Sequence, residues 1–409
     1  MTETTVAFNP FAPGFTDDPY PQYAELRAAV PVEHNEFGIW AVWRHADVSE
    51  LLRAQLSVED SNVAEFGPMR EIYDQVYAEA GASGRRGGGV SMLDRDPPDH
   101  TRLRRLVVKA FTTRRIAALE PVVQSLVDAA LDQIAEAGNV DLIEALAFPL
   151  PFAVISEMLG MPEETDVTRL RELSHMVVRA LEPAPDVDTV RQIAQADVEL
   201  RQRTAEAIAW KRAHPADDLL TDLIHAEDEG DVLSEPELVA QVALLYIAGH
   251  ETTVNLIGNG TLALLRDPAQ ADFWRGRPDL DENAVEELLR FDSPVQSSRR
   301  ITLDDYTVRD VTIPKGSFVL AGLGSANRDQ DVFGPDADEL RIDRPNARQH
   351  VSFGGGVHLC LGQALARMEG RIAVSSLLRR FPKLTLSAEP QHNGRINLRG
   401  LTTLPVSVK

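Results

Sequence analysis

Residues 353–362 read F-G-G-G-V-H-L-C-L-G and contain Cys360, the only cysteine in the 409-residue sequence. The glycines before Cys360 let a backbone pass close to a flat, bulky group. Residues 363–380 follow with apolar side chains at helical spacing, so Cys360 lies where a loop enters a helix. The free N–H groups and dipole of a helix N-terminus favour a thiolate over a thiol. A lone cysteine is otherwise a small buried apolar residue, and the surrounding pattern argues against that interpretation here.

The decapeptide resembles the haem-binding loop of the cytochrome P450 family, F-G-x-G-x-H-x-C-x-G, at every fixed position. The resemblance implies heme b as the cofactor and Cys360 as the thiolate ligand of its iron. It further implies that Phe353 packs beside the thiolate, that His358 contacts the haem, and that Gly362 lets the following helix approach the porphyrin.

Charge and composition exclude several classes of protein. Subtracting 63 acidic from 41 basic residues gives −22, which argues against nucleic acid as a partner. One cysteine excludes an intramolecular disulfide and suits a reducing compartment. The first residues have no basic, apolar signal-peptide pattern, and no run of 18 apolar residues occurs. We therefore expect a soluble, cytoplasmic protein.

Residues 94–112, D-R-D-P-P-D-H-T-R-L-R-R-L-V-V-K-A-F-T, predict a helix that begins at the two prolines. His100 and Arg104 are four residues apart and share a face, which is common on solvated helices. In the family, H-x-x-x-R in this context donates to the haem propionates. Further basic residues make this segment either a solvated face or a docking patch for an acidic electron donor: Arg102, Arg105, Lys109, Arg114 and Arg115.

A long helix is predicted from the capping box at Ser234 and Glu237 to about Leu265. Residues 248–253 in its middle read A-G-H-E-T-T, and Gly249 together with a threonine hydroxyl predicts a local opening of the helix. The pattern resembles the oxygen-activation motif of the same family. The resemblance implies that Glu251 and Thr252 relay protons to the oxygen being activated and that Ala248 contacts the haem. An ordinary amphipathic helix is the other interpretation.

Further positions take their roles from the resemblance. Glu287 and Arg290, an E-x-x-R pair on one helical face, would form a structural network with Arg344. Arg300 would donate to a haem propionate, with Arg299 as the fallback, and His350 would be a further propionate donor.

Substrate-pocket candidates lie in three segments. The glycine-rich stretch within residues 60–92 is either a flexible surface linker or, by resemblance, the roof of a substrate cavity, and residues 166–196 correspond to the lid helices. The candidates are Val90, Ser91, Met92, Leu244, Ile247, Ala248, Val295, Gln296 and Ser297.

The sequence therefore predicts the cytochrome P450 fold: mainly α, one domain over residues 1–409, with a small β region from about 10–60 and 295–325. The expected function is haem-thiolate monooxygenation of a small apolar substrate with O₂. No cysteine cluster or G-x-G-x-x-G occurs, so electrons are expected from NAD(P)H through a separate ferredoxin and reductase. The alternatives are a peroxide-driven peroxygenase, which generally lacks the acid–alcohol pair, a non-catalytic haem-binding or gas-sensing protein, and a haem-free helical binding protein.

Overall fold

A computed structural model of the chain describes residues 6–35, 38–64, 69–82, 90–162, 165–183, 186–228 and 230–409. Residues 83–89 of the predicted glycine-rich linker lie outside this part. Helices dominate the described residues and short strands form small sheets, which confirms the predicted mainly α architecture. None of the described helices is both long and apolar enough to cross a bilayer.

The helices, in chain order, are α1 Tyr20–Ala29, α2 His45–Arg53, α3 Met69–Glu79, α4 Asp99–Ala110, α5 Thr113–Ala118, α6 Glu120–Ala137, α7 Pro149–Leu159, α8 Val167–Val177, α9 Val187–Ala213, α10 Leu219–Ile224, α11 Glu235–Arg266, α12 Pro268–Arg275, α13 Asp281–Phe291, α14 Leu323–Ala326, α15 Gln330–Phe333 and α16 Gln363–Arg380. The strands are β1 Val32–His34, β2 Trp40–Val42, β3 Asn139–Asp141, β4 Glu227–Asp228, β5 Asp231–Val232, β6 Ser297–Ile301, β7 Tyr306–Val308, β8 Val311–Ile313, β9 Phe318–Gly322, β10 Thr385–Leu386, β11 Gln391–His392, β12 Leu401–Thr403 and β13 Pro405–Ser407.

The first of two compact units comprises Met1–Leu56, Glu120–Pro151 and Thr252–Lys409. Its main sheet has the order β1-β2-β9-β6, with β2 and β9 parallel and the other pairs antiparallel. Strands from the N-terminal region thus pair with strands from residues 297–322, as the sequence predicted. Val48 and Leu51 of α2 pack against Val319 of this sheet. The prediction of a single domain stays a prediction.

The second unit comprises Ser57–Leu119 and Phe152–Glu251. Its helices α3 and α9 pack through a cluster that contains Tyr77 and Ile193, and α8 also packs against α9. Strands β4 and β5 form a short antiparallel hairpin before α11. This unit therefore contains the helix that carries the predicted propionate donors, α4, and the first half of α11.

Helix α11 has 32 residues, a length of about 48 Å, and passes from the second unit into the first. The predicted capping box forms: the Ser234 amide and hydroxyl both donate to Glu237 Oε2 at 2.8 Å. Residues 248–253 remain α-helical where the sequence predicted a local opening. Gly249 has a packing role, because a Cβ there would lie 3.0 Å from Cδ1 of Ile155 on α7. Close helix–helix contact explains this glycine.

Candidate functional site

The loop that carries Cys360 is closed by backbone hydrogen bonds. The Cys360 amide donates to the Phe353 carbonyl at 3.0 Å, and the Gly354 amide donates to the Val351 carbonyl at 2.8 Å. Cys360 is partly buried and lies two residues before Gly362, the N-cap of α16. The loop-to-helix junction is therefore the one predicted from the sequence.

The backbone conformation and the packing of this loop explain two of its glycines. Gly354 and Gly356 have φ values of +70° and +65°, in the left-handed region that favours glycine. A Cβ on Gly356 would also collide with the carbonyl oxygen of Leu52 on α2. At Gly362, by contrast, a Cβ would meet no described atom within 4 Å. Gly356 thus allows the loop to pack closely against α2, whereas a side chain at Gly362 would enter open space.

Helix α13 holds the start of the loop. The Ser352 hydroxyl donates to the Leu289 carbonyl at 2.7 Å, and its amide donates to His350 Nδ1 at 3.1 Å. His350 Nε2 therefore carries the ring proton and donates to Glu286 Oε2 at 3.0 Å. Both ring nitrogens have protein partners, so the prediction that His350 donates to a propionate is wrong. His350 anchors the loop instead.

The protonation states of His350 and Glu286 agree with the hydrogen bond between them. Burial lowers the pKa of His350 and outweighs the attraction of Glu286, so the ring is neutral near pH 7. Burial works to raise the pKa of Glu286, but the hydrogen bond from His350 and the charge of Arg367 bring it below the usual value. A neutral histidine thus donates to a carboxylate.

Glu287, Arg290 and Arg344 form the predicted structural network. Arg290 donates twice to Glu287, at 2.7 and 2.8 Å, and Arg344 Nε donates to the same carboxylate at 3.1 Å. All three residues are at most 1% exposed. One buried carboxylate thus pairs with two buried guanidinium groups, and Asp336 lies 3.1 Å from Arg344 Nη1 as a second acidic partner.

Neighbouring arginines on β6 differ in burial. Arg300 is buried, and its Nη1 donates to the Ser298 hydroxyl at 2.9 Å and to the Arg299 carbonyl at 2.7 Å. Arg299 is half-buried. Successive strand residues point to opposite faces, so the two guanidinium groups leave the sheet on different sides.

Two of the predicted cofactor contacts lie on α4 in the second unit. His100 is 2% exposed, and Arg104 is half-buried one turn later. Burial, and secondarily the charge of Arg104, lower the pKa of His100, so its ring is neutral near pH 7. The pair is close enough for its members to influence each other, as the four-residue spacing predicted.

The cations of the predicted docking patch have carboxylate partners. Arg102 pairs with Glu237 and Asp231, while Arg105 and Lys109 both pair with Asp228. Arg115 on α5 likewise pairs with Asp217 and Asp222. These carboxylates follow more than a hundred residues later in the chain and reduce the net positive charge of the segment, and its role as a docking patch stays a prediction.

Helix α11 carries a partly exposed apolar face. Leu244, Ile247, Ala248 and Thr252 occupy positions i, i+3, i+4 and i+8, which lie on one side of a helix. Ala248 is exposed in the middle of this long helix, and the other three are half-buried. Glu251, next to this face, is 5% exposed and lies 3.2 Å from Nε2 of His175 on α8. No local pattern in the sequence indicates the contact between His175 and Glu251.

Pocket candidates in the second unit are tied to α11 by their backbone. The Met92 amide donates to Gln241 Oε1 at 3.2 Å, and Gln241 Nε2 donates to the Val90 carbonyl at 3.3 Å. The Ser91 hydroxyl donates to Asp94 Oδ2 at 2.8 Å. Met92 and Ser91 are buried, whereas Val90 is half-buried.

Among residues 295–297 of the first unit, Gln296 differs from its prediction as a pocket residue. Gln296 is 1% exposed and its Nε2 donates to the Ser293 carbonyl at 2.7 Å, so it does not face a pocket. The Ser297 hydroxyl donates to Asn397 Oδ1 at 2.9 Å, and Val295 is half-buried against the sheet cluster. Val295 is the apolar residue of the three, and its role in a pocket stays a prediction.

Comparison with known proteins identifies the family. The cytochrome P450 family model matches residues 73–272 and 280–408. The chain belongs to the cytochrome P450 family. It is 42% identical to Cytochrome P450 107B1 of Saccharopolyspora erythraea, over 97% of this chain and 96% of that protein. It is 40% identical to Vitamin D(3) 25-hydroxylase of Pseudonocardia autotrophica, again over 97% and 96%.

Solved structures agree with this assignment. P450BioI, in its complex with a hexadec-9Z-enoic acid ligated acyl carrier protein, matches with a TM-score of 0.87 at 33% identity, over 97% of this chain and 99% of that chain. This P450 is thus a monooxygenase of bacterial type, and its cofactor is haem.

The residues present suit a haem. In the first unit, Cys360 is partly buried and lies two residues before Gly362, where a Cβ would meet no described atom within 4 Å. In the second unit, Leu244, Ile247 and Ala248 expose apolar surface on α11 that a flat apolar group would cover. These two features come from different segments of the chain.

Sequence reasoning missed a buried acid in this P450. Glu369 on α16 is 0% exposed, and neither carboxyl oxygen has a hydrogen-bond partner within the part of the chain that is described. Burial raises the pKa of Glu369 well above its usual value, so the side chain is a neutral acid. Glu369 follows Leu365 by four residues and so lies on the apolar face of the helix, and this position in the sequence could have indicated its burial.

Proposed function

We propose that this P450 binds heme b through the Cys360 thiolate and inserts one atom of O₂ into a C–H or C=C bond of a small, largely apolar substrate. The observation that carries the proposal is the single cysteine of the chain, held in a loop that backbone hydrogen bonds close just before α16. When bound, a thiolate-ligated haem supplies the activation of O₂.

The remaining proposed haem contacts follow from residue chemistry. Phe353 and His358 belong to the cysteine loop, and Ala248 offers an exposed methyl group on α11. The carboxylate groups of a haem need charged or N–H donors when they leave bulk water. Those donors are Arg300 in the first unit and His100 with Arg104 in the second.

The apolar pocket candidates support an apolar substrate, because binding sites for small organic molecules are lined mainly by apolar residues. These candidates are Leu244, Ile247, Val90, Met92 and Val295. The relative named Vitamin D(3) 25-hydroxylase is consistent with an apolar ligand.

Electrons are proposed to come from NAD(P)H through a separate ferredoxin and its reductase. A cysteine-ligated iron–sulfur cluster needs several thiolates, and this sequence has one cysteine. The cations on α4, which pair with carboxylates but stay partly exposed, remain the proposed contact face for an acidic donor.

Glu251 and Thr252 are proposed to move protons during the reaction. Glu251 would hold a proton on its carboxyl and pass it toward the Thr252 hydroxyl, which can accept and donate in turn. A peroxide-driven peroxygenase or a gas-sensing haem protein has no comparable need for this acid–alcohol pair. The pair therefore favours the O₂-dependent monooxygenase.

Thr252→Ala tests this proton role. We expect the variant to bind haem and substrate as the parent does and still consume NAD(P)H, because the alanine removes only a hydroxyl. Product formed per NAD(P)H should fall, with the electrons leaving as hydrogen peroxide, since assisted proton transfer is worth about 10²–10⁴-fold. The measurement is product and peroxide yield per NAD(P)H consumed.

The matched control is Thr252→Ser, which keeps the hydroxyl and should keep most of the coupling. Glu251→Gln should slow turnover with a larger solvent isotope effect. If Thr252→Ala and Glu251→Gln both retain the parent's rate and coupling, protons reach the site by another route.

A further inference from the structure

A histidine of α8 contacts the acid proposed to relay protons. His175 Nε2 lies 3.2 Å from Glu251 Oε1, within hydrogen-bond distance. The side chain of Glu251 is 7% exposed, whereas that of His175 is 44% exposed. The contact therefore joins a buried carboxyl to an imidazole that reaches solvent, and both residues belong to the second unit.

A second histidine influences the same carboxyl. His250 is fully buried, and its Nδ1 lies 2.8 Å from the Tyr246 carbonyl oxygen, so Nδ1 carries a proton. In the neutral ring, Nε2 then directs a lone pair toward Glu251 Oε1, 3.6 Å away. Two acceptors repel each other, and a proton on either atom makes the contact attractive. Glu251 Oε1 therefore lies near an imidazole nitrogen of each histidine.

We propose that His175 is the positioning residue through which Glu251 takes up protons from solvent. The inference rests on the proposed role of Glu251. In the step, protonated His175 transfers its Nε2 proton to the Glu251 carboxylate, so the Nε2–H bond breaks and an O–H bond forms at Oε1. The products are a neutral Glu251 carboxylic acid and a neutral His175 that keeps its proton on Nδ1, and solvent then protonates Nε2 again.

The exposed ring suits repeated use. After Glu251 has passed its proton on, exchange with solvent returns His175 to the Nε2–H form. Histidine is the side chain that gains and loses protons most readily near neutral pH, so it can serve as a relay where lysine or arginine would stay charged.

Other charges near His175 set its electrostatic environment. On its own helix, Arg171 and Glu172 lie about one turn before it, and Arg179 follows four residues after it, beyond the end of α8. From α9, Glu199 faces α8 but is held by Arg169 and Arg203, both at 2.9 Å. From α11, the facing groups are Glu251 and His250. Glu251, at contact distance, is the partner with the strongest direct interaction.

The first experiment measures turnover of the haem-loaded protein with its redox partners. His175→Gln should lower kcat by about tenfold or more, with a larger solvent isotope effect and unchanged substrate affinity, because a proton relay is lost. The parent's kcat should fall as pH rises through the His175 titration, and this pH dependence should disappear in the variant. A structural role alone would not remove the pH dependence.

The matched control is His214→Gln in the same unit. His214 is exposed, stacks on Trp210 and hydrogen-bonds the Trp210 carbonyl, far from the proposed machinery in sequence and role. This variant should keep the parent's rate, isotope effect and pH profile.

A second measurement does not depend on turnover. In the diamagnetic ferrous carbon monoxide form with labelled histidine, the His175 signal is assigned by its loss in His175→Gln. Its titration midpoint should move to lower pH in Glu251→Gln, because the neighbouring carboxylate stabilises the imidazolium. An unchanged midpoint would overturn the inference.

The variants separate this inference from the proposed function. If Glu251→Gln slows turnover but His175→Gln keeps the parent's rate and isotope effect, the role of His175 is overturned and that of Glu251 stands. If Glu251→Gln itself has no effect, the proposed relay fails and the inference falls with it. We expect the double variant to be no slower than Glu251→Gln alone, as for two members of one path.

Discussion

Cys360→Ser is expected to abolish monooxygenase activity and to remove the spectral signature of thiolate ligation. The ferrous carbon monoxide adduct of the parent should show the strongly red-shifted Soret band of a haem bound by thiolate. A serine hydroxyl is a much poorer donor to iron, and the electron density that a thiolate supplies for O–O cleavage is lost. The absorbance spectrum of the reduced, carbon monoxide-treated protein is the measurement.

A neighbouring substitution provides the control for Cys360→Ser. Leu359 is the residue before the cysteine, and its side chain is 36% exposed, so Leu359→Ala disturbs the loop without removing the thiol. This variant should keep the red-shifted band. An imidazole-type spectrum in freshly purified, folded parent protein would rule out Cys360 as the ligand.

Local sequence patterns were sufficient for the features that depend on neighbouring residues. The cysteine loop, the capping box at Ser234 and the four-residue spacing of His100 and Arg104 each lie within a few turns of one segment. Helical periodicity and capping rules act over that range. The structure accordingly has these elements where the sequence predicted them.

Other predictions depended on partners distant in the chain. His350 was assigned to a propionate, but its partner Glu286 lies 64 residues away. The cations of α4 were predicted to form either a solvated face or a docking patch, and three of them pair with Asp228 and Glu237. Such pairings are fixed by tertiary packing, which no local pattern encodes. The contact between His175 and Glu251 was unforeseen for the same reason.

The Glu287 network also extends to the cysteine loop. Arg290 Nη1 donates to the Asn327 carbonyl at 2.9 Å. The Asn327 side chain in turn accepts from the Val351 amide at 2.8 Å and donates to the Ser352 hydroxyl at 2.7 Å. These residues directly precede Phe353. The family's structural motif is therefore linked, through one asparagine, to the loop that presents Cys360.

Glu287→Gln is expected to destabilise the protein strongly. The substitution keeps the size of the side chain but removes the negative charge that compensates Arg290 and Arg344, both at most 1% exposed. Breaking a buried ion pair by removing one partner costs about 3–5 kcal/mol, because an uncompensated charge is left inside the protein. Denaturant unfolding of the haem-loaded protein, followed by circular dichroism, measures this cost.

Glu339→Gln is the matched control for the same chemical change. Arg290 and Arg344 both bind the backbone carbonyl of Glu339, which the substitution preserves, and the carboxylate itself is exposed. The control should unfold within about 0.5 kcal/mol of the parent, as surface substitutions usually do. Glu287→Gln should also release haem faster than the control, since Asn327 carries the disturbance to the cysteine loop. Equal unfolding free energies for the two variants would show that Glu287 does not hold this network together.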